Sequence, residues 1–356
     1  MESEKAVAIE EACRFCWMCR HLCPVALVTG NEANTPRGRA LVASMDRRGV
    51  PFDKGSAEKM FQCTLCYACA DNCATGYDPT VFTREARSRA LAEGLANAKT
   101  KELAEKLLNG EHALVHEKNC RELQTILEIL PEKADVLVYR SGYTKHAIPL
   151  LELLKKAGIH FTTKEKEPVS GALACDVVGY VEEVKNLAST WAKWINDSGA
   201  KTVVCLDPGD VFFVRDQMAK WDIKVNPAVM TATSYVASLI KESSYQPKGM
   251  KGDVFYHDPS RLCRNLTETE EARYLIMKSG MTVKELFLHG HMARSAGSII
   301  LDELYPELQA KVAAGLWEDV KERNGKVVVT ASPETLECLE KSAPKGMKTV
   351  DIFTLL

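Results

Sequence analysis

The chain contains no uninterrupted apolar run of about 18 residues, so nothing in it reads as a membrane span. It also lacks an excess of either charge: 46 Lys+Arg stand against 48 Asp+Glu, a net charge of −2. That balance removes the electrostatic footprint of a nucleic-acid binder or a polybasic membrane anchor. The opening stretch Met1–Glu11 has no basic segment followed by an apolar one, so no signal peptide is expected, and a cytoplasmic location follows, with any membrane association made through a partner subunit. Apolar residues are not scarce, at 46% of the 356 residues, which excludes wholesale disorder and allows two or three packed domains.

Cysteine is abundant. Of 13 cysteines, eight crowd between Cys13 and Cys73. Without an export signal this crowding reads as metal binding rather than a disulfide framework. The first motif is Cys13, Cys16, Cys19, Cys23, followed by Pro24. The second is Cys63, Cys66, Cys69, Cys73, followed by Ala74. Each is C-x2-C-x2-C-x3-C, the run of two-cluster ferredoxins. Three thiolates on one turn grip three irons of a cubane, and the fourth reaches the other cluster. The expectation is two [4Fe–4S] clusters, one held by Cys13, Cys16, Cys19 and Cys73, the other by Cys63, Cys66, Cys69 and Cys23. Zinc sites would show paired C-x2-C knuckles instead.

The texture changes along the chain. Residues 1–95 hold the motifs with short helical patterns. Residues 96–134 read as a helical connector: Leu103, Leu107 and Leu108 recur at helix spacing, Asn109-Gly110 breaks the run, Leu123, Ile126, Leu127 and Leu130 resume it, and Pro131 stops it. From Asp135 the pattern is α/β. Residues 136–139 (VLVY) read as a buried strand and 146–158 as a helix ending at Gly158. One unit recurs: KTVVCLDPGD (201–210) resembles KVVVTASPET (326–335), and VLVY resembles DVFY (253–256). This predicts a duplicated α/β region, halves 135–248 and 249–356, with the junction near Gln246-Pro247-Lys248-Gly249. The fold class is α + α/β, an all-α two-cluster ferredoxin domain followed by a duplicated Rossmann-like region.

Family resemblances extend this reading. The long helical spacer between the motifs resembles the all-α ferredoxin domain of succinate dehydrogenase and heterodisulfide reductase subunits. The segment TPRGRALVASM (35–45) is similar to the SPRGR segment of iron–sulfur subunits of glycolate oxidase, anaerobic glycerol-3-phosphate dehydrogenase and the lactate-utilisation system. There Arg37 and Arg39 would offset anionic clusters and donate hydrogen bonds; taken alone, they read as a solvated helix start after Pro36. Residues 135–356 resemble the duplicated CCG domain of heterodisulfide reductase subunits B and D, with YHDPSRLCR (256–264) as the best match. That domain binds a noncubane cluster through cysteines missing here. Tyr143, Val169-Ser170-Gly171, Asp207, Asp210, Ser260, residues 291–297, Ser332 and Thr335 stand in their places. Hydroxyls are poor iron–sulfur ligands, so no noncubane cluster is expected.

The scattered Cys120, Cys175, Cys205, Cys263 and Cys338 read as small buried hydrophobes, with Arg261 and Arg264 able to lower the Cys263 pKa. Asp207 and Asp210 could bind a hard cation, but a lone D-x-x-D is a weak signal, and a polar turn that caps the next helix is the favoured reading. His257, His289 and His291 are the one candidate group for a pocket of the α/β region, but a structural role is the favoured reading for them.

The resulting expectation is an electron-transfer subunit of an oxidoreductase complex. By resemblance its partner is a flavoprotein, an FAD-dependent 2-hydroxyacid or glycerol-phosphate dehydrogenase, with a ferredoxin or a quinone-linked subunit as the other carrier. The alternatives are a catalytic reductase with a substrate or metal site in the α/β region, and a non-enzymatic tether.

Overall fold

The computed structural model describes residues 13–112, 120–247 and 249–356. The leader reading of Met1–Glu11, the middle of the connector and Lys248 of the expected junction lie outside them.

The N-terminal part is helical, and its helices start where the sequence supplies caps. Thr35 accepts a hydrogen bond from the Gly38 N–H at 2.8 Å, and Pro36 occupies the first turn of Pro36–Arg47. Asp53 caps Lys54–Phe61, and Asp78 with Pro79 opens Pro79–Ala92. In the connector, Ala98–Leu108 is capped by Asn97, and Gly110 at φ +79° ends that segment as its sequence requires. The following helix, Arg121–Leu127, stops short of Leu130, and Ile129 is exposed there.

Eight short parallel strands follow in two sheets. The first contains β1 (Val136–Tyr139), β2 (Phe161–Thr162), β3 (Thr202–Cys205) and β4 (Ala228–Thr231), in the order β2-β1-β3-β4. The second contains β5 (Asp253–His257), β6 (Thr282–Glu285), β7 (Val327–Thr330) and β8 (Lys348–Asp351), in the order β6-β5-β7-β8. The orders are the same, and the segments that match in sequence occupy matching places: VLVY forms β1 where DVFY lies in β5, and β3 corresponds to β7. β1 is buried along its length, as a parallel strand with both faces covered must be. Beyond β3, Asp207 caps a helix with Pro208 in its first turn; beyond β7, Ser332 does the same with Pro333.

In each sheet the chain leaves the central strand pair in opposite directions, which opens a crevice at the carboxyl ends of β1/β3 and of β5/β7. One apolar core runs from Ala40 through both sheets to Leu355, so the helical part packs on the α/β part.

Candidate iron–sulfur site and the adjoining cavity

The two cysteine loops repeat one local geometry. Phe15 and Leu65, each between the first two cysteines of its motif, take left-handed φ values of +51° and +49°. This turns the Phe15 N–H toward Cys13 Sγ and the Leu65 N–H toward Cys63 Sγ, both at 3.4 Å. Left-handed backbone at bulky residues costs about 1–3 kcal/mol each and persists where the surroundings fix it. Amide donors aimed at sulfur are what a cluster-bound thiolate accepts.

The loops face each other. Burial pushes the Cys13 thiol up, the Phe15 amide opposes this, and Cys73 and Cys16 push it further. Burial pushes the Cys23 thiol up, Arg39 opposes this, and Cys66 and Cys63 add to the rise. Cys69 is driven up by burial and then by Cys66, Cys63 and Cys23. Burial also acts on Cys73, yet hydrogen bonds from the Thr75 hydroxyl and from the Thr75, Tyr77 and Gly76 amides bring its thiol below the ordinary value. Among the described residues no three candidate ligands meet tightly enough for a single metal ion. A cubane places each thiolate on a different iron, so its ligands surround a volume rather than converge on a point.

Buried arginines supply the counter-charge. Arg39 is 1% exposed, and its Nε donates to the Lys59 carbonyl at 3.0 Å. Its Nη2 is buried with no partner among the described residues, while the thiols of Cys63, Cys23 and Cys69 act on it. An anionic cluster would supply the missing acceptor, so this donor set fits [4Fe–4S]. Arg39 is therefore not a solvated helix-start residue. Arg37 is half-buried: it donates to the Phe15 carbonyl at 2.7 Å, pairs with Glu32 at 2.6 Å and lies over the Trp17 ring. Sequence reasoning missed Arg84 and Arg87, and set Arg264 beside Cys263 rather than at the second cysteine loop. Arg87 donates to the Met60 and Cys63 carbonyls at 2.8 and 2.5 Å. Arg84 donates to the Tyr67 hydroxyl at 3.0 Å. Arg264 donates to the Cys66 carbonyl at 3.0 Å.

The environments of the two loops differ. Cys16, Trp17 and Met18 of the first loop are exposed, Trp17 at 50% and Met18 at 60%. The second loop is packed inward, with Leu65, Ala68 and Cys69 buried.

Tyr67 of the second loop lines a cavity of about 110 Å³. The cavity lies where the two crevices meet. Tyr143 follows β1, Asp207 and Asp210 follow β3, Arg261 follows β5 and Glu334 follows β7, and all of them line it. Asp210 accepts hydrogen bonds from the hydroxyls of Ser141 and Ser170, and its carboxyl is pushed up to about 7 by burial and then by Asp207. Glu334 is also pushed up to about 7, by burial first and Asp207 next, although the Ile299 amide donates to it at 3.1 Å. Asp176 stays low despite its burial, because Arg261 and Arg84 pair with it at 2.5 and 2.6 Å.

The histidines take positions that agree with scaffolding rather than with a pocket. His257 is 1% exposed and bonds the Arg294 carbonyl at 2.8 Å, His289 bonds the Leu286 carbonyl at 3.0 Å, and His291 lies 3.5 Å from Asp71. None of them lines the cavity. Asp258 beside His257 pairs with Arg273 at 2.7 Å and accepts from the Gly290 amide, a scaffolding role. Asp207 accepts from the Gly209 amide at 2.6 Å, as a cap does, and also reaches the cavity. The Cys263 thiol is not lowered by its arginine neighbours: burial pushes it up to about 12, with Arg264 opposing.

Residues 10–77 match the 4Fe-4S dicluster domain. The match supports [4Fe–4S] binding and an electron-transfer role for this part of the chain. No curated protein matches the chain. Among solved structures, glutamate racemase isoform RacE1 from Bacillus anthracis aligns over 63% of this chain and 79% of its own, at 11% identity and a TM-score of 0.30, too low to bear on fold or activity. Among the described residues no helix is long and apolar enough to cross a membrane.

Proposed function

We propose that the chain is the electron-transfer iron–sulfur subunit of a multi-subunit oxidoreductase, with two [4Fe–4S] clusters in crossed ligation. Cys13, Cys16, Cys19 and Cys73 hold one cluster; Cys63, Cys66, Cys69 and Cys23 hold the other. The supporting observation is the company each fourth cysteine keeps: Cys73 acts on Cys13, and Cys66 and Cys63 act on Cys23, which also acts on Cys19 of its own motif. Such clusters supply one-electron steps, which suit exchange between a two-electron flavin and single-electron carriers. The residues of the chain do the rest. Arg39, Arg87 and Arg264 set positive charge and donors around the second loop. Trp17 and Met18 leave the first loop open to a partner.

The partner in this reading is a flavoprotein, an FAD-dependent dehydrogenase, with a ferredoxin or a quinone-linked subunit as the other carrier. Residues 1–95 form the cluster domain, 96–134 the connector, and 135–248 and 249–356 the halves of a CCG-like docking region without a noncubane cluster. The test is a rapid-mixing experiment with a reduced flavoprotein co-purified from the native host. Cluster reduction within a turnover, with no substrate conversion by the chain alone, is the expected result. Substrate reduction by the isolated chain would instead support the second reading, a catalytic reductase, which the cavity beside Tyr67 favours.

A further inference from the structure

The cavity is the least explained part of the molecule, and its lining has a definite chemistry. Four carboxyl groups, Asp176, Asp207, Asp210 and Glu334, face two guanidiniums, Arg84 and Arg261. The carboxyls outnumber the guanidiniums, and both guanidiniums pair with Asp176, which leaves Asp207, Asp210 and Glu334 without a paired cation among the described residues. Burial pushes the Asp210 and Glu334 carboxyls up to about 7, so they are partly neutral at neutral pH, and a cation that enters the cavity favours their charged form. The aromatic walls act in the same direction. The Arg84 guanidinium lies 5.7 Å from the Tyr67 ring and 5.9 Å from Tyr180, and that of Arg261 lies 5.1 Å from Tyr67 and 5.8 Å from Phe212. The site thus already lodges two cationic heads between rings and carboxylates.

Neither guanidinium is free to meet an anionic ligand, because both turn to Asp176 at 2.6 and 2.5 Å. A bare metal ion is disfavoured because no three carboxylates among the described residues converge on one point. A space of about 110 Å³ admits one small organic molecule. Two π-helical turns, Val214–Met218 and Arg261–Asn265, border it through Asp216, Gln217 and Arg261. Such turns are rare and concentrate at functional sites.

We propose that the cavity between the two α/β halves binds a small organic cation, an amine, and that its occupancy is felt by the second cysteine loop through Tyr67. Tyr67 lies between Cys66 and Cys69 at φ +63°, forms part of the cavity wall and accepts the Arg84 hydrogen bond. The turn that places Arg261 in the cavity also carries Arg264, which holds the Cys66 carbonyl. A positive charge in the cavity favours the more negative, reduced state of a nearby cluster, so by linkage the amine binds more tightly to the reduced protein.

The test uses anaerobically prepared full-length protein and calorimetric titration with ethanolamine and 1,4-diaminobutane, with propionate and Mg²⁺ as comparisons. Saturable binding of at least one amine, tighter than about 1 mM, is expected. Glu334→Gln should weaken it by about tenfold with iron content unchanged, and Asp207→Asn serves if that variant does not fold. The amine affinity should rise several-fold on dithionite reduction. Failure of both amines to saturate, tighter binding of propionate or Mg²⁺, or affinity indifferent to the carboxyl substitution would each overturn the site. Equal affinity for oxidised and reduced protein would overturn its link to the loop. The oxidised-state titration involves no electron transfer, so it separates failure of the site from failure of the electron-relay reading.

Discussion

Arg264 of the second α/β half donates from Nη1 to the carbonyl of Cys66 at 3.0 Å, across 198 residues of sequence. The same guanidinium holds the carbonyls of His291 and Ala293, so one side chain ties the second cysteine loop to the α/β scaffold. Removing it takes away a buried positive charge and a loop restraint together. Arg264→Met should lower the potential of the second cluster by roughly 40 mV, the equivalent of about 1 kcal/mol for a one-electron couple. Arg264→Lys should keep most of the wild-type value. A redox titration followed by EPR reads both.

Asp210 makes stability depend on pH. Its folded-state carboxyl sits at about 7 against an ordinary 3.8, raised by burial first and Asp207 second. Between those values the folded protein binds more protons than the unfolded chain, so stability falls as pH rises from about 4 to about 7 and stays lower above. Asp210→Asn should flatten that fall, gaining on the order of 3 kcal/mol at pH 8 relative to pH 4. Denaturant midpoints of both proteins across this range check it.

Gly38 has a packing reason to lack a side chain. A Cβ there would lie 2.2 Å from the Glu32 carbonyl oxygen, backbone that cannot yield cheaply. Gly38→Ala should cost about 1–3 kcal/mol. It should also disturb the first loop, because Glu32 pairs with Arg37, which lies over Trp17 and holds the Phe15 carbonyl. Chemical denaturation and the EPR line shape of the first cluster would register the two effects.

Four of the five cysteines outside the motifs should be inert in the folded protein; Cys120 is only half-buried. Burial pushes the thiols of Cys175 and Cys263 up to about 12, and those of Cys205 and Cys338 upward as well. Iodoacetamide at pH 7 should leave all four unmodified until denaturant is added, as read by peptide mass mapping. Early labelling of Cys263 would restore the reading that Arg261 and Arg264 activate it.

What was legible in the sequence was local. The cysteine motifs declare themselves because their ligands lie within one turn, and β1 because four consecutive apolar residues can be buried on both faces. The repeated strand–cap segments gave matching places in two sheets of the same order. The cavity was legible in part: the resemblance sets Tyr143, Ser170, Asp207 and Asp210 in the places of one ligand set, but Arg84, Arg261 and Glu334 reach it from elements that only the folded chain brings together. The histidines drew attention by residue type, yet two of them, His257 and His289, each engage a backbone carbonyl. Arg84 and Arg87 sit in Thr83-Arg84-Glu85-Ala86-Arg87, which carries no motif to single them out. They are 4% and 0% exposed, because carbonyls at the second cysteine loop and Asp176 receive them.

The central claim is crossed ligation of two cubanes, and an anaerobic iron and sulfide count with reduced-state EPR, run beside Cys23→Ser, tests it most directly. The account expects about eight irons per chain and spin-coupled signals of two [4Fe–4S] clusters. In the variant it expects loss or conversion of the cluster held by Cys63, Cys66 and Cys69, with the Cys13 cluster kept. A variant that damages the cluster of its own motif, or a wild-type count near four irons, would contradict it.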